Sequence, residues 1–141
     1  MVHALNEIHR TLIRDGCLID LRPLLDRWPI EVISRNEFRE AGRVTDLSEP
    51  LADDDAANQA IKEAEQRGWF LREREDTFPF FYYWDTPKEM QTYIDETWDD
   101  VIRIEDPVWN DLRSAWATAN ADARVRLRLK LNMTLLRKQN P

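Results

Sequence analysis

The stretch MVHALNEIHRTLIRDGCLIDLRP, Met1–Pro23, carries the pattern from which the fold is read. Val2, Leu5, Ile8 and Leu12 recur at helical spacing, with Ile13 beside them. Asn6, Glu7, Arg10 and Arg14 take the outer face, and Gly16 offers the left-handed turn that ends such helices. Cys17-Leu18-Ile19 then forms a short apolar run closed by Asp20-Leu21-Arg22-Pro23. Apolar neighbours on both faces predict a strand covered on two sides, as in a parallel sheet. Helix, glycine and doubly covered strand together make half of a crossover unit.

Working outward, Ile30–Ile33 and Arg43–Leu47 read as short strands able to form a loose hairpin. Ser48–Asp55 is acidic and holds Pro50, so it reads as a surface loop. A helix follows to Arg67, capped by Asp53 or Asp54, with a thin stripe of Ala57, Ala60, Ile61 and Ala64. Trp69–Trp84 is a long strand in which Pro79 marks a break, a bulge or an edge. Thr86-Pro87-Lys88-Glu89 has the form of a capping box with proline at the first helical position. Met90, Tyr93, Ile94 and Trp98 give that helix its buried face, and Asp106-Pro107 starts another through Trp109, Leu112 and Trp116. From Arg124 apolar and polar residues alternate through Leu135, which predicts one long strand with one buried face.

At 141 residues the chain has the length of a single domain, and 43% hydrophobic residues are enough for a core. A net charge of −7 argues against a general affinity for nucleic acid or anionic membrane. Cys17 is the only cysteine, which excludes an intrachain disulfide and a cysteine-based metal site; in an apolar run it is expected to be a buried, inert thiol. His3 and His9 lie six apart and share no helical face, and Asp53-Asp54-Asp55 lacks the spacing of a calcium loop, so no metal is expected. The N-terminus has no continuous apolar run of a signal peptide and no stretch approaches a membrane span, so the expected location is the cytoplasm.

The segment ALNEIHRTLIRDGCLIDLRP resembles the class I S-adenosylmethionine-dependent methyltransferases, in which a helix of the type L-x-E-I-x-R-x-L-x-x-G-G leads into the fifth strand of a seven-stranded sheet. Leu5, Glu7, Ile8, Arg10, Leu12 and Gly16 match, while Asp15 stands where the first glycine often is. By this resemblance the strand from Trp69 would be the sixth, and the alternating strand from Arg124 the seventh, antiparallel to its neighbours. The implied fold is α/β: a partial Rossmann-like methyltransferase sheet of about three to five mixed strands, with a long antiparallel C-terminal pair and flanking helices. Residues 1–141 would form a single domain resembling the carboxyl half of a methyltransferase. The family holds its cofactor on a Gly-rich turn after the first strand. This sequence has no G-x-G; its glycines are Gly16, Gly42 and Gly68. S-adenosylmethionine is therefore implied by resemblance alone, without a binding motif in the chain.

Residues past the carboxyl ends of strands commonly hold ligands in open α/β sheets, which makes Asp20 and Arg22 the candidate substrate-binding pair. Asp20 would act as a base and Arg22 as a bidentate anion holder, unless the two form a surface ion pair. Arg124, Arg126, Arg128 and Lys130 form a basic stripe. It would bind phosphate or, with Tyr82-Tyr83-Trp84, stack nucleic acid, unless Glu73, Glu75 and Asp76 neutralise it across the ladder. Two functions follow as expectations. One is a methyltransferase-like protein inactive alone; the other is a non-catalytic α/β binding or oligomerisation module. A strand suited to the middle of a sheet would carry an unpaired edge and bare apolar faces. The expected partner is a second copy or a separate cofactor-binding chain, docked along Cys17-Leu18-Ile19 and the first helix.

Overall fold

A computed structural model describes residues 1–140. The elements run α1 (Val2–Thr11), β1 (Cys17–Leu24), β2 (Pro29–Ile33), β3 (Phe38–Arg43), β4 (Thr45–Asp46), α2 (Ser48–Gln66), β5 (Phe70–Trp84), α3 (Pro87–Thr97), β6 (Ile102–Arg103), α4 (Asp106–Ala117) and β7 (Arg124–Lys138). The fold is α/β, with four helices and a mostly antiparallel five-stranded sheet in the order β1-β7-β2-β3, β5 also pairing with β7. A separate two-stranded sheet joins β4 to β6. The chain packs as two compact units, residues 1–23, 51–78 and 131–141 in the first and 24–50 and 79–130 in the second, with β5 and β7 contributing to both.

The first unit buries Leu5 of α1, Ala60, Ile61 and Ala64 of α2, Phe70 of β5 and Leu136 of β7 around one core, with Ile8, Leu12 and Leu18 packed against it. Three of the four buried residues of α2 are alanines. The helix starts at Ser48, so the acidic stretch through Asp55 is helical rather than a loop. Pro50 is tolerated because first-turn N–H groups have no intrahelical acceptor. At the end of α1 the left-handed residue is Asp15 (φ 58°), not Gly16. Gly16 is required for a different reason: a Cβ there would lie 2.9 Å from the Ile13 carbonyl oxygen.

β1 does not have two covered faces. Its residues alternate between exposed and half-buried from Cys17 to Leu24, and the Cys17 thiol is exposed rather than buried. The cause is that α1 and α2 cover one side only. Leu18 meets the core, Asp20 and Arg22 point the same way toward α2, and the odd-numbered side chains face away.

The second unit has the larger core, with Ile30 and Val32 of β2, Met90 and Ile94 of α3, Leu112 of α4 and Val125, Leu127 and Leu129 of β7. Tyr82, Tyr93 and Trp98 meet edge to face around it, with centroids 4.9 Å (Tyr82–Trp98) and 5.0 Å (Tyr93–Trp98) apart. Half of the capping box forms as expected, with the Glu89 N–H donating to Thr86 Oγ1 at 3.2 Å, while the Glu89 carboxylate reaches past the cap to accept from the Asp85 N–H at 3.0 Å. The hairpin is β2 with β3, Phe38–Arg43, which the charged sequence FREAGR conceals. Its register shifts between Ile30, opposite Gly42, and Glu31, opposite Glu40. On the far side β2 pairs with β7, placing Glu31 opposite Arg126.

β7 does not keep one buried face. Val125, Leu127 and Leu129 are buried at odd positions, then Thr134 and Leu136 at even ones, while Leu131, Met133 and Leu135 are only half-buried.

Gly42, at φ 156°, offers a test of the hairpin. A Cβ there would come within 2.8 Å of Val108 Cγ1. Gly42→Ala is expected to destabilise by about 2 kcal/mol in urea unfolding, from overpacking and backbone strain together. Val108→Ala in the same chain should return part of that loss.

Candidate functional site

In the first unit, the i, i+2 spacing on β1 puts Asp20 and Arg22 on the face toward α2. Arg22 Nε donates to Asp20 Oδ2 at 2.9 Å, Arg22 Nη2 donates to Asn58 Oδ1 at 2.8 Å, and Nη1 lies 4.0 Å from Asp54 Oδ1. The two sequence-predicted residues are thus together, in the arrangement of an ion pair extended onto a helix. The guanidinium fork faces protein acceptors, and the carboxylate best placed to act as a base is bonded to it. Burial raises the Asp54 carboxyl above its usual range; Arg22 opposes this, and Asp55, Asp20 and Asp53 add to it.

A group whose folded pKa is raised costs stability at pH above that pKa, and the cost disappears below the unfolded value. Asp54→Asn is therefore expected to raise the urea midpoint at neutral pH and to lose that advantage as pH falls below the usual aspartate range. Unfolding curves across that pH range check the sign.

In the second unit the basic stripe finds its acids elsewhere than β5. Glu31, 0% exposed, accepts from Arg126 Nε at 2.6 Å and from Arg128 Nε at 2.9 Å. Arg126 lies between the rings of Phe38 and Phe81, 5.7 and 4.7 Å from their centroids. Arg124 bonds Asp85 at 2.9 Å over the ring of Tyr83, and Lys130 bonds Asp26 at 2.8 Å. Glu73 instead pairs with Arg137, while Glu75 takes Asn132 and Arg72. The stripe is neutralised, as cross-strand pairing expects, but chiefly from β2 and the loops, because β2 lies beside the first half of β7. The sequence does hold a signal for Glu31: one acid inside the apolar run Pro29–Ile33 implies a charge buried with partners.

Glu31→Gln leaves two guanidiniums short of their counter-charge and is expected to cost about 3 kcal/mol. Arg126→Gln should cost more than Arg128→Gln, whose side chain is the more exposed of the two. Denaturant unfolding of the three variants gives the order.

One open groove of about 460 Å³ lies along α3 with Trp84 and Tyr93, and another of about 450 Å³ is lined by residues of α3 and α4, with Trp109 and Trp116. Among the described residues no three His, Cys, Asp or Glu side chains are grouped to hold a metal. His9 is used structurally, its Nε2 2.9 Å from the Gln139 carbonyl oxygen and its ring against Phe70. No described helix is long and apolar enough to cross a membrane.

The remaining feature is an uncovered surface. Cys17, Ile19 and Leu21 of β1 project away from the helices, with Ile19 59% and Leu21 53% exposed. Leu71 of β5 is 55% exposed, and Met133 and Leu135 of β7 are half-buried at the odd positions of the same sheet. Among the described residues β1 has a single strand neighbour, β7. Bare apolar residues on a strand with an unpaired edge mark an interaction surface. No protein-family model, curated protein or solved structure matches the chain.

Proposed function

We propose that this chain is a non-catalytic binding and oligomerisation module of methyltransferase-like descent, working through the bare face and free edge of β1. The observation that carries this reading is the exposure of Ile19 and Leu21 on a strand with one neighbour. The ionic groups elsewhere support it. Arg22, Arg126 and Arg128 all donate to protein acceptors, and Asp20 and Glu31 are engaged by them.

Element order supports the descent. α1, the Gly16 turn and β1 lead through α2 to β5, and β7 lies between β1 and β5. β7 runs antiparallel to β5, with Arg137 on Glu73 and Asn132 on Glu75. That is the relation the resemblance implies for a seventh strand beside a sixth. The same order favours a second reading, in which a separate chain brings the cofactor site and covers β1. In that reading Asp20 and Arg22 hold the substrate, once Arg22 is released from Asn58.

The two readings part on the cofactor. Calorimetric titration of the chain with S-adenosylmethionine is expected to show no binding, since no glycine turn lets the backbone approach a nucleotide. Micromolar binding by the chain alone overturns the non-catalytic reading.

A further inference from the structure

We infer that the occupant of the β1 edge is a second copy of this chain, paired antiparallel about a two-fold axis at Ile19; this rests on the binding-module reading above. The direction of the main-chain groups comes first. The Lys138 N–H donates to the Gly16 carbonyl at 2.8 Å, so Gly16 turns toward β7. In an antiparallel strand one residue's N–H and C=O point to the same side, and the side alternates with each residue. Burial alternates without a break from Cys17 to Leu24, so the phase holds along β1. Leu18, Asp20 and Arg22 therefore bond toward β7, and Cys17, Ile19 and Leu21 present their N–H and C=O groups at the free edge. The same three residues carry the bare side chains.

Charge selects the partner. Two chains of net charge −7 repel unless they meet on a neutral surface. β1 provides one, since its only charges, Asp20 and Arg22, are bonded to each other and to Asn58 on the opposite face. Self-pairing then puts no like charges opposite one another.

Register follows from the ends of the edge. Pro23 has no N–H to donate, and Asp15 is in the left-handed region at φ 58°. Centring on Ile19 sets Ile19 against Ile19 of the second copy and Cys17 against its Leu21. All three residues then exchange both main-chain hydrogen bonds. A shift by two residues in either direction draws in Pro23 or Asp15 and loses bonds. The odd-numbered side chains of both copies then form one continuous apolar strip.

Oxidative cross-linking of the full chain reads this register. Paired residues in such a ladder have Cα atoms about 5.5 Å apart, within the roughly 4.4–6.8 Å that a disulfide spans. Cys17→Ser with Ile19→Cys is expected to give a covalent dimer. The native chain is not, because Cys17 would lie about 14 Å from its counterpart, four residues along the strand. Leu21→Cys with the native Cys17 should cross-link through two bridges. Ile19→Lys puts two ammonium groups face to face and should weaken the dimer at least about ten-fold by sedimentation, with the thermal melt of the protomer unchanged. A chain that stays monomeric at all concentrations overturns the inference. So does a dimer that cross-links through native Cys17, or one indifferent to Ile19→Lys. Binding of S-adenosylmethionine, by contrast, overturns the non-catalytic reading and leaves the cross-linking result to stand separately.

Discussion

β7 has to serve two cores in turn, and that constraint shapes everything attached to it. Its first half turns Val125, Leu127 and Leu129 into the core with α3 and α4. Its second half turns Leu136 into the core with α1 and α2. The buried positions move from odd to even residues along its length. The apolar odd positions Met133 and Leu135 are left half-covered beside a β1 whose own odd residues are bare. The exposed surface is thus a consequence of how the long strand divides its side chains.

The polar half of the same strand shows a second consequence. Basic residues alternate with apolar ones at its start, and each requires an acid once the sheet forms. β2 supplies Glu31 directly opposite Arg126, and Arg128 reaches the same carboxylate. A carboxylate removed from water is tolerated when its oxygens are taken by charged donors. The phenyl rings of Phe38 and Phe81 both lie within cation–π reach of the Arg126 guanidinium. This arrangement fixes the register of β2 on β7, because a slip by one residue turns Glu31 to the core face and Ile30 and Val32 out of it. The charges of the basic stripe are taken up by acids within the fold, Glu31, Asp85 and Asp26.

Much of the local structure is legible in single residues. Thr86, Pro87 and Glu89 specify the start of α3, and Asp106-Pro107 the start of α4. Ala57, Ala60, Ile61 and Ala64 mark the buried stripe of α2. The pairing of Asp20 with Arg22 follows from their spacing. β3 was not legible, because only Ala41 of its six residues is buried and the rest look like a loop. The start of α2 was misplaced because Pro50 resembles a break, although a proline in the first turn breaks nothing. The apolar run Cys17-Leu18-Ile19 predicts a buried thiol, and Cys17 is exposed because an apolar run records only that cover is wanted on each side.

The sequence by itself determined the starts of α3 and α4, the buried stripe of α2, the positions of the long strands β5 and β7 and the lack of a G-x-G turn. These are properties of neighbours along the chain, set by backbone sterics and local hydrogen bonds. Only the tertiary structure decided which strand lies beside which, which acid meets which arginine, and which face of β1 is left bare. Those outcomes depend on elements dozens of residues apart, such as Glu31 and Arg126 or β1 and α2. A period of two tells which residues share a face, while the cover for that face comes from wherever the fold brings it.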